Sequence, residues 1–198
     1  MIERFYDATA GEVLVGGVDV RDVRQHDLRE KIGFVPQKGA LISGTIESNI
    51  TYGAPDASDE DVRVAAEVAQ ALEFIEQKPD GFADAIAQGG TNVSGGQKQR
   101  LSIARALAKK PDIFIFDDSF SALDFKTDIA LRRALKQHAQ DSTVLIVAQR
   151  VSTILNAEQI IVLEEGKIVG HGTHRELLKH CPEYQEIAQS QLSEEELA

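Results

Sequence analysis

The sequence predicts an α/β fold in which a parallel sheet is covered by helices on both faces. Three short runs of the chain are almost entirely apolar, at residues 32–35, 113–116 and 143–148. Amphipathic patterns typical of helices separate these runs, over residues 94–110 and 127–140. Apolar strands that alternate with such helices are characteristic of parallel sheets, because these strands are buried on both faces.

The composition is that of a folded domain with an acidic balance. The chain has 198 residues, 42% of them hydrophobic, which is enough for one domain with its own core. Its net charge of −11 repels phosphate backbones, so nucleic acid is not expected as a partner. The apolar runs are far shorter than the roughly 20 residues of a membrane span. The single cysteine, Cys181, permits no internal disulfide, which fits a reducing cytosol.

The first third is predicted to contain a hairpin, a short helix and a strand. Residues 12–15 and 18–20 flank two glycines that favour a tight turn. The short helix reaches Leu28, and Pro36 ends the strand at 32–35, with Gln37 directly after it. Phe5 and Tyr6 are interpreted as core residues.

The middle third is predicted to be helical. A short helix is expected at 45–50, and Ser58 is expected to cap a longer one, because acidic residues at 59–61 suit the first turn. Glycines at 81, 89 and 90 indicate loops. The apolar face of the longer helix consists of Val62, Ala65, Ala66 and Ala69.

A further helix is predicted to begin at Ser94. Ser94 and Gln97 fit the capping-box pattern S-x-x-Q, and Pro111 stops the helix just after residues 109–110. Two consecutive glycines, Gly95 and Gly96, fall in the first turn, where glycine is unfavourable. A plain capped helix leaves these glycines unexplained.

The last third is predicted to hold a strand at 143–148, a hairpin of 159–163 with 167–169, and two final helices. Thr173 and Glu176 form a second capping-box pattern. The tail at 193–196 is expected to be solvated. The histidines of this region are not interpreted as a metal cluster, because no cysteine or carboxylate set completes one.

Four short motifs occur in the chain, and their order identifies a protein family more specifically than any single motif does. They are Ser94-Gly95-Gly96-Gln97, Asp117-Asp118, Ser121-Ala122-Leu123-Asp124 and Gln149-Arg150. In this order they resemble the nucleotide-binding domain of ATP-binding cassette (ABC) transporters, whose Leu-Ser-Gly-Gly-Gln signature is matched except at Val93. The resemblance covers residues 4–178, and the segment 41–46 resembles the exporter subfamily. It implies a RecA-like P-loop NTPase core with an inserted α-helical subdomain at about 44–110.

The resemblance implies a site for ATP and Mg²⁺ that is shared with a second nucleotide-binding domain. Asp117 ends an apolar strand, where ligands bind in open α/β sheets, and is expected to hold Mg²⁺ through water. Gln37 matches the family's Q-loop glutamine, which reaches Mg²⁺ and links the nucleotide to the membrane domain. The remaining nucleotide-contacting positions that the resemblance implies are Ser94, Gly95, Gly96, Gln97, Ser121, Ala122, Leu123 and Asp124.

Two catalytic positions depart from the family. Asp118 stands where the family has a glutamate that polarises the attacking water, and Asp is one methylene shorter. Gln149 stands where the family has a histidine, and an amide cannot carry a titratable charge. Together these departures resemble the degenerate subunit of a heterodimeric multidrug- or lipid-type exporter. Such a subunit binds ATP, turns it over slowly and lends its signature to the partner's site.

The family's phosphate loop, G-x-x-x-x-G-K-[ST], does not occur in these residues. The resemblance places that loop before Arg4, so the chain is expected to be truncated after it, with an incomplete core that lacks the preceding strand. The isolated chain is therefore expected to be inactive. A complete protein would sit at the cytoplasmic face of a membrane through a transmembrane domain.

Two other functions remain open from the sequence. The first is a non-catalytic fragment or gene remnant with no activity of its own. The second is a soluble ABC ATPase that acts on nucleic acid or ribosomes. The acidic charge and the exporter-like segment 41–46 argue against the second.

Overall fold

The computed structural model describes residues 1–193 and divides into two compact units, 1–145 and 146–198. The part of the predicted solvated tail beyond Ser193 lies outside the described residues. The strands are β1 (Leu14–Val15), β2 (Val18–Asp19), β3 (Ile32–Val35), β4 (Gly44–Thr45), β5 (Ala85–Ile86), β6 (Ile113–Asp117), β7 (Thr143–Val147), β8 (Ile160–Glu164) and β9 (Lys167–Gly172). The helices are α1 (Gln25–Glu30), α2 (Ile46–Ile50), α3 (Asp59–Val68), α4 (Leu72–Glu76), α5 (Gly95–Ala108), α6 (Phe125–His138), α7 (Val151–Ile154), α8 (His174–His180) and α9 (Pro182–Gln191).

The sheet that positions the candidate site has the strand order β3-β6-β7. β3 and β6 run parallel, with Ile32 opposite Ile113 and Val35 opposite Phe116. The predicted α/β class with a parallel sheet is therefore confirmed. Since the two strands end side by side, the residues that follow them leave from the same edge of the sheet.

The prediction that all three apolar strands are buried is wrong for β7. Val144 and Leu145 are 37% and 39% exposed, and Val147 is 52% exposed. β7 is the last strand in its sheet order, and no strand among residues 1–193 pairs with its outer side. An edge strand keeps part of its apolar surface in water, whatever its sequence pattern.

Helix beginnings follow the predicted capping signals closely. Reciprocal capping boxes occur at Ser94 and Thr173, as predicted, and Ser58 caps its helix as predicted. The Ser58 cap is also a reciprocal box, and a further box occurs at Thr45. Helix α6 begins at Phe125, two residues earlier than predicted, because Asp124 accepts a hydrogen bond from the Thr127 backbone amide. The apolar face predicted for α3 is buried, including Val62, Ala65, Ala66 and Ala69.

The interpretation of Phe5 and Tyr6 as core residues is wrong. Phe5 is 59% exposed and Tyr6 is 79% exposed. One side of the Phe5 ring contacts Phe34 edge-on, and the Arg29 guanidinium lies 5.0 Å from the ring centre. The start of the chain is held by polar contacts instead, since Arg4 Nη1 donates to the Arg21 carbonyl at 3.2 Å.

The second unit is built on the β8–β9 hairpin, which extends to Gly172, three residues beyond its predicted end. Glu165 and Gly166 both have positive φ, of 48° and 77°, as a tight two-residue turn requires. The unit has its own apolar core. Its buried members are Val151, Ile160, Val162, Leu177, Cys181, Tyr184, Ala188 and Leu192.

Candidate functional site

The candidate site lies at the edge of the sheet where β3 and β6 end. Gln37 follows β3 by two residues, and Asp118 directly follows β6. The Gln37 side-chain amide Nε2 donates to Asp118 Oδ2 at 3.1 Å. Asp117, the last residue of β6, is half-buried beside them. The structure thus brings Gln37 and Asp118 into contact, although 81 positions separate them in the chain.

Asp118 adopts a backbone conformation that the sequence did not reveal. Its φ is 46°, in the left-handed region, which aspartate tolerates better than most residues. Only 9% of the residue is exposed. The Asp118 carbonyl accepts from Ser121 Oγ at 2.8 Å, and Ser119 Oγ donates to the Val35 carbonyl at 2.8 Å. The turn after β6 is therefore tied back to β3.

An aromatic stack lies beneath this turn. The rings of Phe114 and Phe116 are 6.0 Å apart and nearly parallel, and the ring of Phe120 lies 5.2 Å from that of Phe116. All three residues are almost fully buried. Burying three phenylalanines stabilises the strand end strongly, which supports the strained conformation of Asp118.

The segment 121–124 is anchored at its ends and exposed in its middle. Leu123 is buried, whereas Ser121, Ala122 and Asp124 are exposed. Asp124 caps helix α6, since its carboxylate accepts from the Thr127 backbone amide at 3.0 Å and from the Thr127 hydroxyl at 2.7 Å. These hydrogen bonds lower the pKa of Asp124, which keeps the cap ionised at neutral pH.

The signature segment is a regular helix beginning. Ser94 Oγ accepts from the Gln97 backbone amide at 3.2 Å, and Gln97 Oε1 accepts from the Ser94 backbone amide at 2.9 Å. A Cβ atom on Gly95 would meet nothing within 4 Å, and one on Gly96 would lie 3.5 Å from the Ala122 carbonyl oxygen, an ordinary contact. Neither glycine has a positive φ. Packing within the described chain therefore requires glycine at neither position.

Sequence reasoning missed Gln99, a buried amide on α5. Its Oε1 accepts from the Gly39 backbone amide at 2.9 Å, and its Nε2 donates to the Pro36 carbonyl at 3.1 Å. These two contacts bracket Gln37. The available signal was a polar residue among the buried apolar positions of α5, where it needs hydrogen-bond partners.

A second buried polar pair holds the next segment of chain. The side chain of Asn49 bonds both backbone groups of Ile42 and the Thr45 carbonyl. Arg105 donates to the Asn49 side chain at 2.9 Å and to the Ala40 carbonyl at 2.9 Å. The chain from Ala40 to Thr45 is thus fastened to α2 and α5 independently of Gln99.

Gln149 lies in the second unit, directly after β7, and its side chain is exposed. Its carbonyl accepts from Gln191 Nε2 at 3.0 Å, and Gln191 Oε1 accepts from the Val151 backbone amide at 2.9 Å. The final helix of the unit therefore orients the backbone at Gln149.

The oxygen groups at the strand ends fit Mg²⁺ bound together with a phosphate ligand. Among residues 1–193, no group of three or more His, Cys, Asp or Glu side chains is arranged to hold a metal by itself. Mg²⁺ typically uses one or two protein oxygens, and phosphates and waters complete its shell. The Asp117 carboxylate and the Gln37 amide provide such oxygens at neighbouring strand ends.

Comparison with known proteins agrees with this geometry. Residues 1–121 match the family described as ABC transporter. A solved structure of a bacterial Atm1-family ABC exporter with ATP bound superposes with a TM-score of 0.94 at 38% identity, covering 98% of this chain and 34% of that one. An uncharacterised ABC transporter ATP-binding protein of Mycobacterium tuberculosis is 48% identical over 194 residues, covering 96% of this chain and 33% of its own length.

Two further relatives have descriptive names. The ATP-dependent lipid A-core flippase of Desulfotalea psychrophila is 45% identical over 185 residues, covering 93% of this chain and 32% of the flippase. A putative multidrug export ATP-binding/permease protein of Staphylococcus aureus is 44% identical over 187 residues, covering 94% of this chain and 32% of that protein.

The fold and the site define an ATP-binding domain of the cassette type. The chain belongs to the ABC transporter family, and it is homologous to the ATP-binding domains of lipid flippases and multidrug exporters. It spans about a third of the length of the curated relatives it matches. Within residues 1–193, no helix combines the length and the apolarity needed to cross a membrane.

Proposed function

We propose that this domain binds ATP within an ABC exporter and couples ATP binding and hydrolysis to transport across a membrane. The observation that carries the proposal is the contact of Gln37 with Asp118 at the carboxyl edge of parallel strands, where α/β proteins bind nucleotides. The similarity to exporters, including one with ATP bound, supports it. The domain would work with a transmembrane domain at the cytoplasmic face of the membrane.

The oxygen atoms of Asp117 and Gln37 would hold Mg²⁺ together with ATP. When bound, Mg²⁺ neutralises part of the charge on the phosphates. Gln37 is oriented for this role by its own hydrogen bond to Asp118. The backbone of Asp118 is in turn held by Ser121, so the carboxylate has a defined direction.

This subunit's own site would hydrolyse ATP slowly. A general base must lie within about 3 Å of the proton that it takes, and Asp118 is one methylene shorter than the glutamate usual in the family. The Asp118 backbone is tied to Ser121 and its carboxylate to Gln37, so it cannot move forward to recover the lost reach without breaking those bonds. Gln149 cannot supply the charge of a histidine.

The signature would serve the nucleotide of a second, heterologous nucleotide-binding domain. Ser94, Gly95 and Gly96 open a helix of 14 residues, whose beginning carries partial positive charge and unpaired amides. Since packing among residues 1–193 does not require glycine at position 95, its small size suits close approach by a ligand held elsewhere. The segment 44–110, which contains α2 to α5, would form the helical subdomain that carries this surface.

The test compares the two carboxylates of the assembled transporter. Asp118→Asn should lower total ATP hydrolysis less than about threefold, whereas replacing the equivalent carboxylate of the partner should remove nearly all of it. Steady-state hydrolysis and ATP binding are measured on both variants. Equal losses would overturn the slow-site assignment, and absence of ATP-dependent transport in the unaltered transporter would overturn the proposed function. The inactivity of the isolated 198-residue chain stays a prediction that the same hydrolysis assay checks.

A further inference from the structure

The most specific unexplained contact in the described chain joins helix α5 to the segment 36–39. Gln99 is the fifth residue of α5, and only 1% of it is exposed. Its amide bonds the Pro36 carbonyl and the Gly39 backbone amide, one on each side of Gln37. A buried amide that satisfies a backbone donor and a backbone acceptor holds both of them in place.

The backbones of the two segments also touch directly. A Cβ atom on Gly39 would lie 2.9 Å from the Lys98 carbonyl oxygen and 3.0 Å from its carbonyl carbon. These are backbone atoms of α5, so they cannot rotate away as a side chain would. Gly39 therefore permits an approach that no other residue allows, and the segment rests against the helix itself.

The chain on either side of this contact has anchors of its own. Arg105 and Asn49 already fasten the chain from Ala40 to Thr45. Before Pro36, the chain is secured by the pairing of β3 with β6. Between these two anchored stretches lies Gln37, whose side-chain amide donates to Asp118. The two hydrogen bonds of Gln99, to Pro36 and Gly39, which we call the bracket, therefore enclose Gln37.

We propose that Gln99 is a positioning residue that holds Gln37 to helix α5, so that the Gln37–Asp118 contact moves with the helix that begins at the signature. This inference rests on the proposed function, in which Gln37 and Asp118 serve this subunit's nucleotide and Ser94 to Gly96 serve the partner's. Because α5 carries both the bracket and the signature, a shift of the helix at one nucleotide changes the position of Gln37 at the other. Gln99 thereby links the two sites.

The first test measures how firmly the segment is held in the full-length transporter. Gln99→Met removes both hydrogen bonds at nearly constant length, and Gly39→Ala pushes the segment away from the opposite side. Both variants should speed amide hydrogen exchange in residues 37–39 by roughly tenfold, as expected for a lost buried hydrogen bond. Exchange in β6 and in residues 42–45, which Asn49 and Arg105 hold, should not change. Unchanged exchange in residues 37–39 in either variant would overturn the proposal.

The matched control is Ser102→Ala. Ser102 lies one turn further along α5 and is 4% exposed, and its hydroxyl has no hydrogen-bond partner among the described residues. Its replacement should leave exchange in residues 37–39 unaltered. Acceleration equal to that of Gln99→Met would show that any change within α5 loosens the segment, which would also overturn the proposal.

The second test separates positioning from plain stability. With the partner's catalytic carboxylate disabled, the Mg²⁺ concentration that half-saturates ATP retention is measured for Gln99→Met, Gln37→Ala and the double variant. Each single change should raise it roughly tenfold, and the double variant should match Gln37→Ala, because Gln99 acts through Gln37. If the increases of the two single variants multiply in the double variant, Gln99 acts independently of Gln37 and is a structural residue only. Failure of the unaltered transporter to retain ATP would overturn the proposed function instead. The hydrogen-exchange experiment would then be the test of whether Gln99 holds residues 36–39.

Discussion

Two regions of this domain are proposed to carry its chemistry, and they are built in opposite ways. The signature segment, Ser94 to Gly96, is a regular capped helix beginning that lies largely in solvent and matches its family's motif. The strand end at Asp118 is buried and adopts a positive φ. Under the proposed function it carries a carboxylate one methylene shorter than the family's. Nothing within the described chain demands Gly95, whereas Asp118 is bonded on both its side chain and its carbonyl.

The difference indicates where the constraint on each region originates. We infer that the identity of Gly95, which packing within the described chain does not require, is constrained by a ligand or partner outside the chain. Asp118 is held by hydrogen bonds within its own chain, and these bonds fix how far its carboxylate extends. The backbone therefore cannot shift to compensate for a side chain that is one methylene shorter. The signature is therefore interpreted as the outward-facing region and Asp118 as the inward-facing one.

The largest effect that tests this comparison is expected at Gly96. Gly96→Phe fills the space in front of the helix beginning and should reduce hydrolysis by the assembled transporter about hundredfold, since small displacements of reacting groups are that costly. The control is Glu60→Phe, which adds an exposed aromatic ring to the first turn of α3. If both variants keep their activity, the signature does not face a nucleotide.

A gain of activity should come from repairing both catalytic departures proposed for this subunit, at Asp118 and at Gln149. Asp118→Glu together with Gln149→His restores reach and a titratable group, and should raise hydrolysis at this subunit's site about tenfold or more. Single-turnover hydrolysis is measured with the partner's carboxylate disabled. Each change alone should achieve less, because each repairs only one of the two proposed departures from the family's motif. No gain in the double variant while ATP is bound would contradict the slow-site interpretation.

A smaller effect is expected at Gly95, where a substitution should increase stability but decrease activity. Gly95→Ala should raise the free energy of unfolding of the domain by up to about 1 kcal/mol, because alanine favours helix and its Cβ meets open space. Hydrolysis by the assembled transporter should nevertheless fall. Urea unfolding and steady-state hydrolysis are compared on the same variant. A variant that is more stable and fully active would remove the argument that Gly95 serves an outside ligand.

The smallest effect concerns Asp124, which caps helix α6. Its hydrogen bonds to Thr127 lower its pKa below the ordinary 3.8, so the ionised carboxylate stabilises the folded chain at and above pH 3.8. This contribution is lost as the pH falls through the lowered folded value. Asp124→Asn retains a capping side chain without a charge, so its disadvantage at pH 7 should vanish in stronger acid. Urea unfolding between pH 7 and pH 3 measures the difference, and a constant difference over that range would contradict the assignment.

The sequence by itself determined the features that depend on near neighbours. The caps at Ser58, Ser94 and Thr173 were predictable because each reciprocal pair of hydrogen bonds spans only three residues. The strands β3 and β6 were predictable because a short run of apolar residues between turn-forming residues favours a strand. The order of the four motifs was sufficient for the family, which the comparisons confirm.

Only the tertiary structure decided burial and long-range contact. The apolar pattern of β7 resembles that of β6, yet β7 lies at the sheet edge and is largely exposed. The Gln37–Asp118 contact joins residues 81 positions apart, and the bracket of Gln99 spans 60 and 63 positions. Such long-range contacts depend on how helices and strands pack against one another, so a local pattern of residues does not predict them.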